Sequence, residues 1–226
     1  MAWRAIAACI AAMAVPAVHG HGDEPRAAME FQLPPAGSYA LAAIQPAPDG
    51  EVLDWRGVRH SLAEFTRARI TLLGLVYTRC TDADGCPRAT WAFSAVRNRV
   101  RGDPELKSRV RFVTLSFDPV NDTPATLAAY AAQVGGSRHG PEWHFLTTRS
   151  REALQPILDG FGQDLRVAAG SHAVPGTEAF SHTLKAFLID ARGEVREIYS
   201  SAYLLPGMIV NDMRTLAREA GPIRSR

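Results

Sequence analysis

The residues of this 226-residue chain best suited to chemistry are Cys80 and Cys86, which flank the five residues Thr81-Asp82-Ala83-Asp84-Gly85 and are followed by Pro87. The third cysteine, Cys9, falls in a leader that reads as removed on export. Two thiols at this spacing form a reversible disulfide or chelate a soft ion, provided the intervening residues fold back. Gly85 fits that reversal, because a residue without Cβ adopts positive φ freely. A cysteine at the start of a helix has its thiolate favoured by the helix dipole and by free backbone N–H groups. The spacing differs from the two-residue spacing of thioredoxin-type reductants and common zinc sites. A structural disulfide is the plain alternative in an exported chain.

The elements around the pair must place it. Ile70 to Tyr77 is nearly all apolar and reads as a strand buried on both faces. Pro87 suits a first helical position. Ala89, Ala92, Phe93, Val96 and Val100 then form one apolar stripe, with Arg97, Asn98 and Arg101 facing water. Trp91 and Phe93 read as packing residues. The two cysteines therefore sit at the carboxyl end of a central strand, where open α/β sheets place their sites.

Further strands are expected at Tyr39–Ile44, Val110–Phe117, Trp143–Thr148, Thr183–Asp190 and Glu194–Ser200, with a hairpin over Gly50–Val58. Helices are expected after Thr123-Pro124, after Ser150 (with Pro156 bending it or moving its start) and after Pro206, and a helical turn at Ser61–Phe65. Thr123 caps a helix whose inner face is Leu127, Tyr130, Ala131 and Val134, and Gly135-Gly136 ends it. Gly160 to Phe180 reads as irregular. Alternating strands and helices with a closing hairpin predict an α/β fold, a mixed central sheet covered on both faces, behind an N-terminal hairpin extension.

The first 20 residues read as a signal peptide: Arg4, an apolar run from Ala5 to Val18, and small residues at the expected cleavage site. An uncleaved N-terminal membrane anchor is the alternative, but the run falls short of the ~20 apolar residues that span a bilayer. Residues 21–37, rich in Pro and Ala, read as a flexible tether, 38–220 as one domain and 221–226 as a tail. Export implies a periplasmic location if the source is bacterial. The 25 basic and 23 acidic residues nearly balance, and no aromatic-rich basic patch argues for nucleic acid.

Tyr77-Thr78-Arg79-Cys80 and Cys86-Pro87 resemble the signature of the SCO/SenC family of copper chaperones. Ser116-Phe117-Asp118-Pro119 with Asp122-Thr123-Pro124 is similar to that family's strand-end and helix-start pattern. Phe180-Ser181-His182-Thr183, leading to Phe187-Leu188-Ile189-Asp190-Ala191-Arg192-Gly193, resembles its histidine and following hairpin. The resemblance covers roughly residues 38–218. It implies a thioredoxin-like fold and copper held by Cys80, Cys86 and His182. It also implies delivery to a copper-site subunit of cytochrome oxidase or another cuproprotein, with a thiol reductant as a further partner. One departure stands out, since the family usually has three residues between its cysteines and this chain has five.

Two thiolates and an imidazole make a soft ligand set that favours Cu(I) and also accepts Cu(II). If a strand beginning at Thr183 neighbours the central one, His182 stands at its start, facing the cysteine loop. In that position thioredoxin-type oxidoreductases place a cis-proline, whereas here the nearest proline is Pro175. Tyr77 is expected to line the site. His172, His139 and His144 read as ordinary histidines, and Asp82 and Asp84 as a solvated turn. His21 becomes a Cu(II)-chelating N-terminus only if cleavage follows Gly20. The reading is an exported copper chaperone rather than an enzyme. Its alternative is a thiol–disulfide oxidoreductase, with Cys80 and Cys86 as redox pair, that keeps partner cysteines reduced.

Overall fold

The structure is a computed structural model that describes residues 32–134, 140–167 and 180–221, without the side chains of Val167, Ser181 and His182. Cys9, His21, Gly135-Gly136, His139, His172, Pro175 and the expected signal peptide lie outside those residues. A compact unit begins at Leu33.

In chain order the elements are β1 (Gln45–Pro46), β2 (Glu51–Leu53), β3 (Arg59–Ser61), α1 (Ala63–Thr66), β4 (Ile70–Val76) and α2 (Cys86–Arg101). Then follow β5 (Val110–Ser116), α3 (Pro124–Gln133), β6 (Trp143–Leu146), α4 (Arg151–Gly160) and β7 (Leu165–Val167). The chain closes with β8 (Phe180–His182), β9 (Lys185–Ile189), β10 (Glu194–Ser200) and α5 (Pro206–Glu219). Among the described residues the main sheet has the order β1-β10-β9-β4-β5-β6. β4, β5 and β6 run parallel, whereas β9 is antiparallel to β4, so the sheet is mixed.

Every residue of β4 is buried, which explains its unbroken apolar run. Its two faces carry different helices. A Cβ on Gly74 would stand 2.9 Å from Cζ of Phe93, so the missing side chain is the socket into which α2 packs. Leu73, one position earlier, points to the opposite face by strand alternation, in register with Phe187. There the Phe187 ring meets Phe161, just past α4, at 4.5 Å. Thr123 and Ser150 cap α3 and α4 through their side chains, accepting from the amides of Thr126 and Ala153.

Several expectations need correction. Tyr39–Ile44 is irregular, and only Gln45–Pro46 pairs with β10, because Tyr39 turns inward to bond Asp212 on α5. Pro156 lies inside α4 without moving its start. Arg97 is not solvent-facing; it is buried, its Nε bonds the Pro141 carbonyl, and its guanidinium lies 5.9 Å from the Trp143 ring. Trp91 is 64% exposed and does not pack, unlike buried Phe93. Of the expected inner face of α3, Leu127 alone is fully buried. Within the segment read as irregular, Leu165–Val167 pairs with Phe180–His182 as a small second ladder.

The last stretch of the expected tether is bonded to α5: the Gly37 amide donates to Thr215, and Asn211 and Arg218 donate to the carbonyls of Pro34 and Ala36.

Candidate metal centre

β4 delivers the chain to the site and stops at Val76, where the Phe117 amide bonds its carbonyl. Tyr77 is buried, with its ring 5.0 Å from Phe117 and 5.3 Å from Phe180. The chain then turns, the Cys80 amide reaching back to the Tyr77 carbonyl at 3.3 Å. Asp82 organises the excursion: its side chain accepts from the Asp84 amide (3.1 Å) and its carbonyl from the Gly85 amide (3.0 Å). α2 begins at Cys86, with Pro87 in its first turn, and the Thr90 hydroxyl bonds the Cys86 carbonyl at 2.9 Å.

Gly85 does its work differently from the sequence expectation. Its φ is −93°, so positive φ is not the reason for glycine. A Cβ there would stand 3.2 Å from the Asp82 carbonyl oxygen and 3.3 Å from Cys80 Sγ, so glycine leaves room for the sulfur.

Both cysteines are free thiols, Cys80 half-buried and Cys86 2% exposed. The five-residue excursion folds back far enough to bring Cys80 Sγ beside Gly85, the residue before Cys86. Burial pushes the Cys86 thiol up; the Tyr77 amide opposes this and the neighbouring Cys80 adds to it. That reverses the expectation of a dipole-stabilised thiolate at the helix start, because desolvation outweighs the dipole at a side chain this enclosed. The Tyr77 hydroxyl is pushed up to about 12, by burial first and then by the charge of Cys80.

A second layer lies beneath the turn. Asp122 accepts from the Thr78 amide (3.0 Å), the Thr78 hydroxyl (2.5 Å) and the Ser116 hydroxyl (2.5 Å). Asp118 accepts from Arg79 at 3.1 Å and from both sides by the Asn121 amide. Sequence reasoning met these two carboxylates only as part of a resemblance. The one local signal was their place between a strand stop and a capped helix.

His182 belongs to β8 by its backbone, in register with Leu165, and its side chain lies outside the described residues. β8 ends three residues before β9, which runs antiparallel to β4 and so begins at the end of the sheet where β4 finishes. Phe180 anchors this strand against the cysteine turn. Its ring packs edge-on against Tyr77, 5.7 Å from Phe117, and Arg151 lies 5.6 Å over it. Gln163 holds the next carbonyl, that of Thr183, at 3.1 Å. Among the described residues no group of three or more His, Cys, Asp or Glu side chains is placed to hold a metal ion.

Other candidates go elsewhere. His144 pairs with Glu142 at 3.3 Å, and burial holds its imidazole below the usual histidine range. It lines a cleft of about 680 Å³ with Trp55, His60, Phe65 and Trp143, and neither cysteine lines that cleft. Asp82 and Asp84 form the exposed turn expected of them.

A mixed sheet whose buried central strand leads, through a nine-residue turn carrying Cys80, into a helix that begins at Cys86, with a closing hairpin laid beside that strand, defines a thioredoxin-like protein carrying a dithiol at its sheet end. The chain belongs to the SCO1/SenC family, whose profile matches residues 51–218. The apo Sco1 protein of Thermus thermophilus is 24% identical, with 80% of this chain and 96% of that one covered and a TM-score of 0.64. Arabidopsis thaliana ScoI, solved with copper bound, is 16% identical over 76% of this chain and 98% of that one, TM-score 0.63. BsSco is described as a Sco-family cytochrome c oxidase assembly protein with a disulfide switch. It is 20% identical, with 79% and 99% of the chains covered, TM-score 0.60. A search of curated proteins gave no match. Among the described residues no helix is long and apolar enough to cross a membrane.

Proposed function

We propose that this protein is an exported copper chaperone that holds the ion with Cys80, Cys86 and His182 and passes it to a copper-site subunit of cytochrome oxidase. The observation that carries the reading is the pair of free thiols at the end of β4, with Cys80 Sγ folded back beside Gly85, the residue before Cys86, and β8 packed against Tyr77. β8 carries residue 182 by its backbone, two positions past the Phe180 ring that packs on Tyr77, and this placement supports the reading. Two soft sulfurs and an imidazole suit Cu(I), with Cu(II) also accommodated. Copper is the cargo, and the protein supplies donors, enclosure and release. Relatives of the same fold carry copper in their structures or are described in oxidase assembly, which supports the same direction. The leader supports export, to the periplasm in a bacterial source.

Cys86 also bears on the alternative. A thiol–disulfide reductase needs one accessible attacking thiol, and with Cys86 2% exposed that role would fall to Cys80. Metal binding needs only that the ion displace the proton.

The test is anaerobic Cu(I) competition against a chelator, using wild type and Cys80→Ser, Cys86→Ser and His182→Ala. Each substitution is expected to weaken Cu(I) binding by at least tenfold. His182→Ala with unchanged affinity removes the histidine from the site, and unchanged affinity in both cysteine variants ends the copper reading. A disulfide-exchange rate that survives His182→Ala while copper binding is absent in wild type favours the reductase.

A further inference from the structure

Asp118 and Asp122 are each 0% exposed, directly beneath the residues that lead into Cys80. Burying a carboxylate is costly unless its oxygens are satisfied; here Thr78 and Arg79 of the cysteine turn supply part of that satisfaction, beside Ser116 and Asn121. Thr78 reaches Asp122 from forty-four positions away and Arg79 reaches Asp118 from thirty-nine. The two carboxylates are themselves joined, since Ser116 donates to Asp122 and accepts from the Asp118 amide at 3.0 Å. The excursion from Thr81 to Gly85 makes a different kind of bond. Its described contacts run among Cys80, Asp82, Asp84, Gly85 and the first turn of α2. Cys86 is fixed by its helix, whereas Cys80 is fixed from the strand side, through Thr78 and Arg79.

We infer that Asp122 is a positioning residue for Cys80: by gripping the Thr78 amide and hydroxyl, it sets where the first sulfur stands relative to the second. The inference rests on the dithiol being the working site proposed above, but its first consequence belongs to the metal-free protein. With the grip loosened, the turn at 77–80 samples more positions, and the effective concentration of one sulfur at the other falls. Ring closure between the sulfurs and chelation of an ion across them then weaken together.

The experiment uses the full-length mature protein with Thr78→Val, which removes the hydroxyl at near-constant shape, Thr78→Ser, which restores it, and Asp122→Asn. The first readout is the equilibrium with glutathione. The two thiols pass two electrons and two protons to oxidised glutathione, the Cys80–Cys86 bond forms, and two reduced glutathiones leave. The second readout is Cu(I) competition. Thr78→Val is expected to lower the disulfide-forming equilibrium constant about tenfold, the worth of one well-placed hydrogen bond to a charged acceptor, and to weaken Cu(I) by a similar factor. Thr78→Ser is expected to stay within about twofold of wild type, because the bond is remade. Asp122→Asn moves both readouts further the same way; if it does not fold, the Thr78 pair carries the test. A Thr78→Val protein that matches wild type in the glutathione equilibrium overturns the positioning role. A shifted equilibrium with copper binding untouched by both Thr78→Val and Cys80→Ser leaves the positioning role standing and ends the copper reading instead.

Discussion

Arg196 shows how a single charge holds the far end of the scaffold. Its side chain is 6% exposed and lies between Asp190 at 2.7 Å and Glu219 at 2.8 Å, while also donating to the Leu41 carbonyl. It thereby ties the β9–β10 turn to α5 and to the N-terminal run. Removing Arg196 leaves Asp190 with Arg192 and two backbone amides, and Glu219 partly solvated, so the loss is that of charged hydrogen bonds, about 2–3 kcal/mol. Arg196→Met is accordingly expected to lower unfolding stability by about that amount in urea at pH 7. Burial works to raise the Asp190 carboxyl, but bonds from the Glu194 amide, Arg196 and Arg192 outweigh it and leave it below the usual carboxylate range. Stability from this group is therefore complete above the unfolded value of ~3.9 and drains away as pH falls through the lower folded value. An Asp190→Asn protein should show a flatter loss of stability below about pH 4 than wild type, read from urea midpoints across pH. Single residues were the least legible scale in the sequence. Arg97 sits on the polar side of a helical repeat, yet its long stem carries the guanidinium to the Trp143 face and the Pro141 carbonyl, which no periodicity encodes. Asp118 and Asp122 likewise gain their meaning from partners some forty residues away.

At the scale of elements, the relation of β4 to α2 decides where the second sulfur stands. Gly74 supplies the socket for Phe93, and a methyl there would approach the ring to 2.9 Å. The ring sits edge-on to Phe112 at 6.2 Å and tilted to Trp143 at 6.1 Å, and is itself 2% exposed. Gly74→Ala is expected to cost about 1–3 kcal/mol by overpacking. Because α2 carries Cys86, the Cu(I) affinity proposed for this site should fall along with the urea midpoint. Elements were also where the sequence was most readable. β4 is apolar throughout because both faces are covered, and α2 shows its buried stripe at Ala89, Ala92, Phe93, Val96 and Val100. The capped starts of α3 and α4 match Thr123 and Ser150. What stayed hidden was pairing between short distant pieces. Leu165–Val167 and Phe180–His182 are three residues each, too brief for a period-two pattern to declare itself. The Tyr39–Ile44 run was apolar enough for a strand but spends its aromatic residue on Asp212 instead.

For the whole molecule, the folded unit reaches further towards the N-terminus than composition implied. Pro34, Ala36 and Gly37 are bonded to α5, so a protein starting at Ser38 gives up those contacts. Such a truncation is expected to lose about 1–2 kcal/mol in urea unfolding while keeping the fold, since the net worth of each bond is modest. The sheet itself gathers the turns after β4 and β5 and the start of β9 at one end, which is why residues 78 and 122 meet despite their separation in the chain. The crossing from Cys80 to Cys86 is then an interchangeable cassette. Its two ends are moored independently, one to a buried carboxylate and one to a helix, and extending such a span from three residues to five costs only about half a kcal/mol of closure entropy. A graft carrying a crossing of another length should still seat both sulfurs, provided it keeps a glycine before Cys86 to leave room for Cys80 Sγ.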